Sequence, residues 1–201
     1  MAILSHIETL LLRLTDRLPC RLIHGEHGEP YLERYYVAGL FGWHLYLHRF
    51  VDSDPDRGLH DHPWRRAASL VLSGGYDELR LVQRPGPGAD EAGVTTPHIR
   101  KRCVRPWRLN LLRGSDYHRV VLRDGRPAWT LFVHGPRVKG WGFLRGGRYR
   151  AMAHTAAEFR HRDWWLTAPS GRVVRAALGR SAGSAGSATG VAPRTVPARQ
   201  R

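Results

Sequence analysis

The stretch LHDHPW places His60 and His62 two residues apart, just before a proline and a tryptophan. On an extended chain residues i and i+2 point to the same side, so both imidazoles can face one point in space. That is the spacing a metal needs, although an isolated pair before a proline also fits a turn in which an imidazole bonds a carbonyl. A third ligand must come from a non-adjacent strand, and His118, in GSDYHRVVL after a glycine-containing turn, is the best placed. Three imidazoles suit Fe(II), Zn(II), Cu(II) or Ni(II) and leave positions open for substrate, water or O₂. Because the ligands must be neutral, binding is expected to weaken as pH falls through about 6.5.

Other residues near this triad could complete a site. Arg65 and Arg66 follow the histidine pair and Arg119 follows His118. Guanidinium groups recognise carboxylate or phosphate through a planar fork. Alternation sends one of the adjacent arginines to solvent, and Arg66 shares the parity of His60 and His62, so it is the expected substrate clamp, with Arg119 second. Trp64 is expected to line the pocket. Tyr76 and Tyr117 are the hydroxyls expected near the metal, and Glu78 is a candidate for contact with substrate or for a fourth ligand. His44 and His48 share one strand face and read as core histidines, whereas His98, His134, His154 and His161 have no partner spacing.

Elements must hold these residues in place. Ile3, Leu4, Ile7, Leu10, Leu11 and Leu14 recur at helical spacing, giving a docking helix over 2–17 within an N-terminal segment 1–29. From Tyr31 the chain turns to short Val-, Leu-, Tyr- and Trp-rich runs such as WHLYLHRF, YHRVVLR and AWTLFVHG, separated by Gly, Pro and Asp. Their spacing of roughly eight to twelve residues predicts an all-β sandwich or barrel over 30–150. SGGY and RDGRP read as hairpin turns, with Gly74 and Gly125 supplying positive φ. Residues 85–97 read as an exposed loop and 151–180 as an extension. The small, polar run from Ser181 to the end lacks apolar residues to offset ordering entropy and is expected to be disordered.

HDHPWRRAASLVLSG, with its two histidines and Gly74 at motif distance, and LRGSDYH, ending on His118, resemble the two motifs of the cupin superfamily over roughly residues 40–135. The resemblance implies a double-stranded β-helix, or jelly-roll, barrel carrying a metal. It departs at one place: the motif's glutamate position holds Ala67. Three neutral histidines remain, similar to the all-histidine site of the thiol dioxygenase branch, which makes Fe(II) the first expectation among the metals. LHDHPW, SLVLSGGYDE and WTLFVHGPRVKGWGF also resemble cupin-like proteins of bacteria and their phages, a likeness that implies no substrate.

The formal charge of +15 in 201 residues raises nucleic acid as a partner. Yet lysine occurs only at 101 and 139, so much of the charge reflects an arginine bias. Six uncompensated arginines lie from residue 172 on, so a phosphate contact through the basic tail is the form such binding takes. Cys20 and Cys103 form no CxxC pair, and the first helix is interrupted by charges with no cleavage site after it, so a cytoplasmic setting is expected. No apolar run is long enough to span a bilayer. Three functions stay open: an Fe(II)-dependent oxygenase of a small anionic substrate, a sugar or nucleotide-sugar isomerase using a histidine base, and a non-catalytic small-molecule-binding protein with a basic tail. A homodimer is compatible with each.

Overall fold

The structure, a computed structural model, describes residues 2–85, 95–152 and 163–186. Helix α1 (Ala2–Thr15) is followed by twelve strands: β1 (Cys20–His24), β2 (Pro30–Leu40), β3 (Trp43–Phe50), β4 (Leu59–His60), β5 (Arg66–Ser73), β6 (Tyr76–Pro85), β7 (Thr95–Val104), β8 (Leu109–Arg113), β9 (His118–Leu122), β10 (Ala128–His134), β11 (Gly142–Arg145) and β12 (Arg148–Ala151). A 3₁₀ turn (Trp164–Leu166) and helix α2 (Gly171–Gly186) complete the described chain. Helix α2 thus reaches six residues into the run expected to be disordered. The rest of that run, and residues 86–94 of the expected loop, lie outside the described residues.

The strands form two antiparallel six-stranded sheets, ordered β1-β2-β3-β10-β5-β8 and β12-β11-β4-β9-β6-β7. From β3 to β10 the pairing is nested: β3 with β10, β4 with β9, β5 with β8, β6 with β7, the pairs alternating between the sheets. This is one long hairpin rolled up on itself, the cupin-type jelly roll, which faces two sheets together and leaves few edges open. The expected SGGY hairpin is instead a turn that carries the chain from β5 in the first sheet to β6 in the second. There Gly74 has φ of 74°, and a Cβ would stand 2.3 Å from the Pro127 carbonyl oxygen. Only glycine fits that combination of positive φ and backbone approach.

On the inner face of the first sheet the registers align residues in rows across the strands. Arg34, His48 and Thr130 form one row; Tyr36, Tyr46, Phe132, Ser69 and Asn110 form the next. The outer face is covered by the helices. Leu11 of α1 and Val174 of α2 join Cys20, Tyr35, Leu47 and Trp129 in one buried cluster. Arg175 ties the helices to the sheet, donating to the Asp16 carboxylate, the Leu12 carbonyl and the Tyr35 hydroxyl, which in turn donates to Glu33 at 2.5 Å. With apolar packing on both faces, β2 and β3 lose the in–out polarity of a half-solvated strand. Among the described residues no helix is long and apolar enough to cross a membrane.

Candidate functional site

Between the sheets lies a cavity of about 810 Å³. The second sheet supplies its polar centre. His60 on β4 pairs directly with His118 on β9 across the ladder, and Phe143 on β11 lies on the other side of His60. His62 follows two residues after His60, in the connection to β5. The three imidazoles converge: one ring nitrogen of each lies within 4.8 Å of the others, and Nε2 of His62 is 2.7 Å from Nε2 of His118. Asp61, between the two histidines, points the other way. Its carboxylate accepts from the Gly142 amide at 2.6 Å and from Lys139, which fixes β4 against β11 and aims its neighbours inward.

Each of the two strand-borne histidines has a carboxylate behind it. Glu78 Oε1 is 2.9 Å from His118 Nδ1, which leaves Nε2 facing the cluster. Asp54 Oδ2 is 3.8 Å from His60 Nδ1 and accepts from the Val120 amide at 2.8 Å. Carboxylates at the far nitrogen fix tautomer and ring orientation and raise the basicity of a ligating imidazole. Glu78 is fully buried. Burial alone raises its pKa, but hydrogen bonds and charge from His118, with Asn110 and Arg80, outweigh it and hold the acid at about 2. Burial, followed by the neighbouring His118, keeps His60 and His62 well below the ordinary histidine range. They are therefore neutral lone-pair donors below the pH of about 6.5 at which free histidine protonates.

This donor set fits a divalent transition metal. With bonds of about 2.1 Å to imidazole nitrogen, ligands at right angles stand about 3 Å apart, close to the 2.7 Å between His62 and His118. The three nitrogens are already gathered, those of His60 and His62 are uncharged, and the Glu78 carboxylate backs His118.

The remaining expected residues divide. Trp64 lines the cavity, its ring stacked 4.9 Å from His62 and 4.2 Å from His134. Tyr76 also lines it; burial pushes its phenol up, and its oxygen accepts from Asn110 Nδ2 at 3.4 Å. Glu78 stands behind His118 rather than in the cavity. Tyr117 precedes His118 and faces outward against Tyr149, ring centroids 6.2 Å apart. Arg119 faces outward as well, pairing with Asp56 at 2.6 Å and the Asp54 carbonyl at 3.0 Å. Arg66 is exposed on the outer surface. Its parity with His62 is broken because Pro63–Arg65 is not a continuous strand: the Pro63 carbonyl accepts from Val138, and an isolated bridge joins Trp64 to Arg137. When β5 resumes, the odd positions Ala67, Ser69, Val71 and Ser73 are the buried ones.

The arginines that line the cavity among the described residues are Arg21, Arg34, Arg57 and Arg137. Arg34 donates from Nε to His48 Nε2 at 3.1 Å and lies over the Tyr46 ring at 5.5 Å. Arg57 lies 4.7 Å above the Phe143 ring, its Nε buried without a partner. His44, His48 and His134 also line the cavity. The sequence contains a signal for His44 and His48, their shared strand face, but none that separates a cavity histidine from a core one.

His134 supplies a pH handle. Burial, then Arg34, His44 and Arg137, depress its pKa to about 3 against the opposing bond to the Gly135 carbonyl. A base whose folded-state pKa lies below its unfolded value opposes folding as pH falls below the unfolded value. Metal-free protein is expected to lose about 3 kcal/mol from this group between pH 6.5 and 4. Urea titrations of wild type and His134→Phe check it; equal slopes of stability against pH in the two proteins would refute the assignment.

No family model matches the chain, and no curated protein matches it. Among solved structures the chain is similar to Fe(II)-HppE with the alternative substrate (S)-1-HPP, at TM-score 0.44 and 10% identity over 60% of this chain and 57% of that one. It is similar to recombinant oxalate oxidase in complex with glycolate, at TM-score 0.41 and 14% identity over 61% and 60%. It is also similar to Bacillus subtilis oxalate decarboxylase, described with Mn(II) centers, at TM-score 0.42 and 14% identity over 62% and 30%. The chain thus spans less than two thirds of each of these proteins.

Proposed function

We propose that this chain is a metal-dependent oxygenase of a small anionic substrate, with Fe(II) held by His60, His62 and His118. One observation carries the reading: three imidazoles from β4, its following turn and β9 converge at one point of a ring-lined cavity. A ligand set without a carboxylate leaves the bound ion its full double charge, and Fe(II) there supplies Lewis acidity and one-electron chemistry towards O₂. The chain's own groups do the rest. Glu78 holds the ring of His118 in register, and β4 pairing sets that of His60, with the Asp54 side chain 3.8 Å behind it. Trp64, Phe132 and Phe143 exclude water, which strengthens every charge interaction inside. Arg34 and Arg57 bring positive charge to the cavity wall, where an anionic substrate is drawn towards the histidines. Tyr76 and Asn110, hydrogen-bonded to each other, also line the cavity.

Elemental analysis of protein purified without a histidine tag, followed by anaerobic Fe(II) loading and oxygen-electrode assays with a panel of small organic acids, tests this. A single equivalent of metal per chain is expected, with substrate-dependent O₂ uptake in the Fe(II) form and none in the Zn(II) form. Protein that binds no metal under any loading condition, or an Fe(II) form that consumes no O₂ with any acid, overturns the proposal. Catalysis of sugar isomerisation by metal-stripped protein would transfer the reading to the isomerase class.

A further inference from the structure

The cavity contains a cation whose balance inside the protein is incomplete. Arg34 projects from β2 beside His48, its register partner on β3. It makes no ion pair among the described residues; its one hydrogen bond goes from Nε to the neutral His48. A guanidinium has five N–H donors in a rigid fork, so the terminal pair is left to the cavity. The acids of the neighbourhood are already engaged, Asp54 by the Val120 amide and Glu78 by His118, Asn110 and Arg80. Burial lowers the pKa of Arg34, which measures how poorly its charge is solvated. An uncompensated charge in such a place is costly unless a ligand answers it.

What lies next to Arg34 is aromatic. Its guanidinium sits over Tyr46, and Tyr46 stacks on Trp164 at 6.3 Å and 12° and on His134 at 5.5 Å and 21°. Beyond His134 the Trp64 ring continues the row towards His62. A wall of near-parallel rings favours a flat, apolar body by area and by stacking. The cavity of about 810 Å³ is also far larger than a two-carbon acid fills.

We propose that the ligand of this cavity is an aryl carboxylate, its acid group held bidentate by Arg34 and its ring laid along Tyr46, His134 and Trp64. As the substrate class of the oxygenase this rests on the reading above; as a binding site it stands on Arg34 and the rings alone. Arg34 is then a specificity-determining residue, and Arg57, over Phe143 at the other flank of His60, is not part of the fork.

The test uses the full chain, metal-stripped and separately loaded with Zn(II), titrated with 2-naphthoate, butyrate, phenylphosphonate and the neutral 2-naphthamide. Tryptophan fluorescence and calorimetry read binding. In both metal states 2-naphthoate is expected to bind at least tenfold tighter than butyrate. Arg34→Gln is expected to weaken 2-naphthoate by about 10- to 100-fold, the loss of a charged hydrogen-bonded pair, and to leave 2-naphthamide unchanged. Unchanged amide binding shows that the cavity is intact. Should the amide be lost too, Arg34→Lys decides: lysine retaining wild-type naphthoate affinity overturns the fork, and a tenfold loss supports it. Equal affinity for butyrate and naphthoate, tighter phenylphosphonate, or indifference to Arg34→Gln overturns the proposal. Arg34-dependent naphthoate binding by a protein that takes up no metal would overturn the oxygenase reading and leave this one standing.

Discussion

Replacement of His60, His62 or His118 singly by alanine is expected to lower affinity for Ni(II) or Fe(II) by more than about 100-fold, whereas His48→Ala changes it by less than about tenfold. The bound is set by outer carboxylates, whose removal costs about 10- to 100-fold; loss of a direct ligand exceeds that. His60 and His118 face each other across one ladder position, and His62 meets His118 at Nε2, so each variant leaves a two-nitrogen site with no replacement donor in the described cavity wall at that point. His48 lies on the opposite sheet, with its Nε2 occupied by Arg34. Calorimetric titration of metal into each stripped variant, with circular dichroism to confirm folding, measures the difference. Full-affinity binding by all three single variants would show that the triad is not the site. The two ligands with depressed pKa also move the expectation from sequence: protons compete for His60 and His62 only at pH values below the ordinary histidine range, because burial and mutual repulsion disfavour the imidazolium.

Reading parity along an extended chain locates ligands but not their surroundings. The i, i+2 rule places His60 and His62 correctly because both sit before the irregular Pro63–Arg65 stretch, and it fails for Arg66 because that stretch shifts the in–out alternation by one. Proline itself is the audible warning in the sequence, since it cannot donate to a ladder. Tyr117 and Arg119 follow the same rule: as neighbours of the inward His118 they point out, away from the place near the metal and substrate expected of them. Arg34 was illegible for a different reason. It stands in PYLERYYVAGL, where Glu33 and Tyr35 are as buried as Leu32, because α1 and α2 cover the face that water usually occupies. Polar residues on both sides of such a strand give no periodicity from which a cavity can be inferred. Asn110, in LNLL, has a clean alternation, and its inward face is recoverable; its role as donor to Glu78 depends on β6 lying two strands away in the other sheet, a distance no local pattern encodes. The succession of strands was legible because turn chemistry marks several of their ends, as Gly74 and Gly125 show with φ of 74° and 63°; that both turns carry the chain from one sheet to the other was not.

Glu78→Gln is expected to weaken metal binding by about 10- to 100-fold and to destabilise the protein by about 3 kcal/mol. The first number is the usual cost of removing a carboxylate from the far nitrogen of a ligating histidine. The second is the low end of the cost of breaking a buried ion pair from one side. The substitution keeps the shape but removes the charge that compensates Arg80 at 2.9 Å and Arg102 at 3.3 Å, and its amide nitrogen faces His118 Nδ1, Asn110 and Arg80 in place of Oε1, or Arg102 in place of Oε2. Either orientation leaves a donor facing a donor in a fully buried setting. Two roles for Glu78 then separate cleanly. Were it a direct ligand, Glu78→Gln would equal His118→Ala in severity, and the effects would add in the double variant. As the partner of His118 Nδ1 it acts only through that ring, so the His118→Ala, Glu78→Gln double variant is expected to bind metal no worse than His118→Ala alone, a non-additivity that a double-mutant cycle reads directly. Titration of Co(II) into the four proteins, with the visible spectrum as a second readout, provides both affinity and ligand geometry. Additive losses would place Glu78 on the metal; wild-type affinity in Glu78→Gln would remove it from the site and leave His118 oriented by β9 alone.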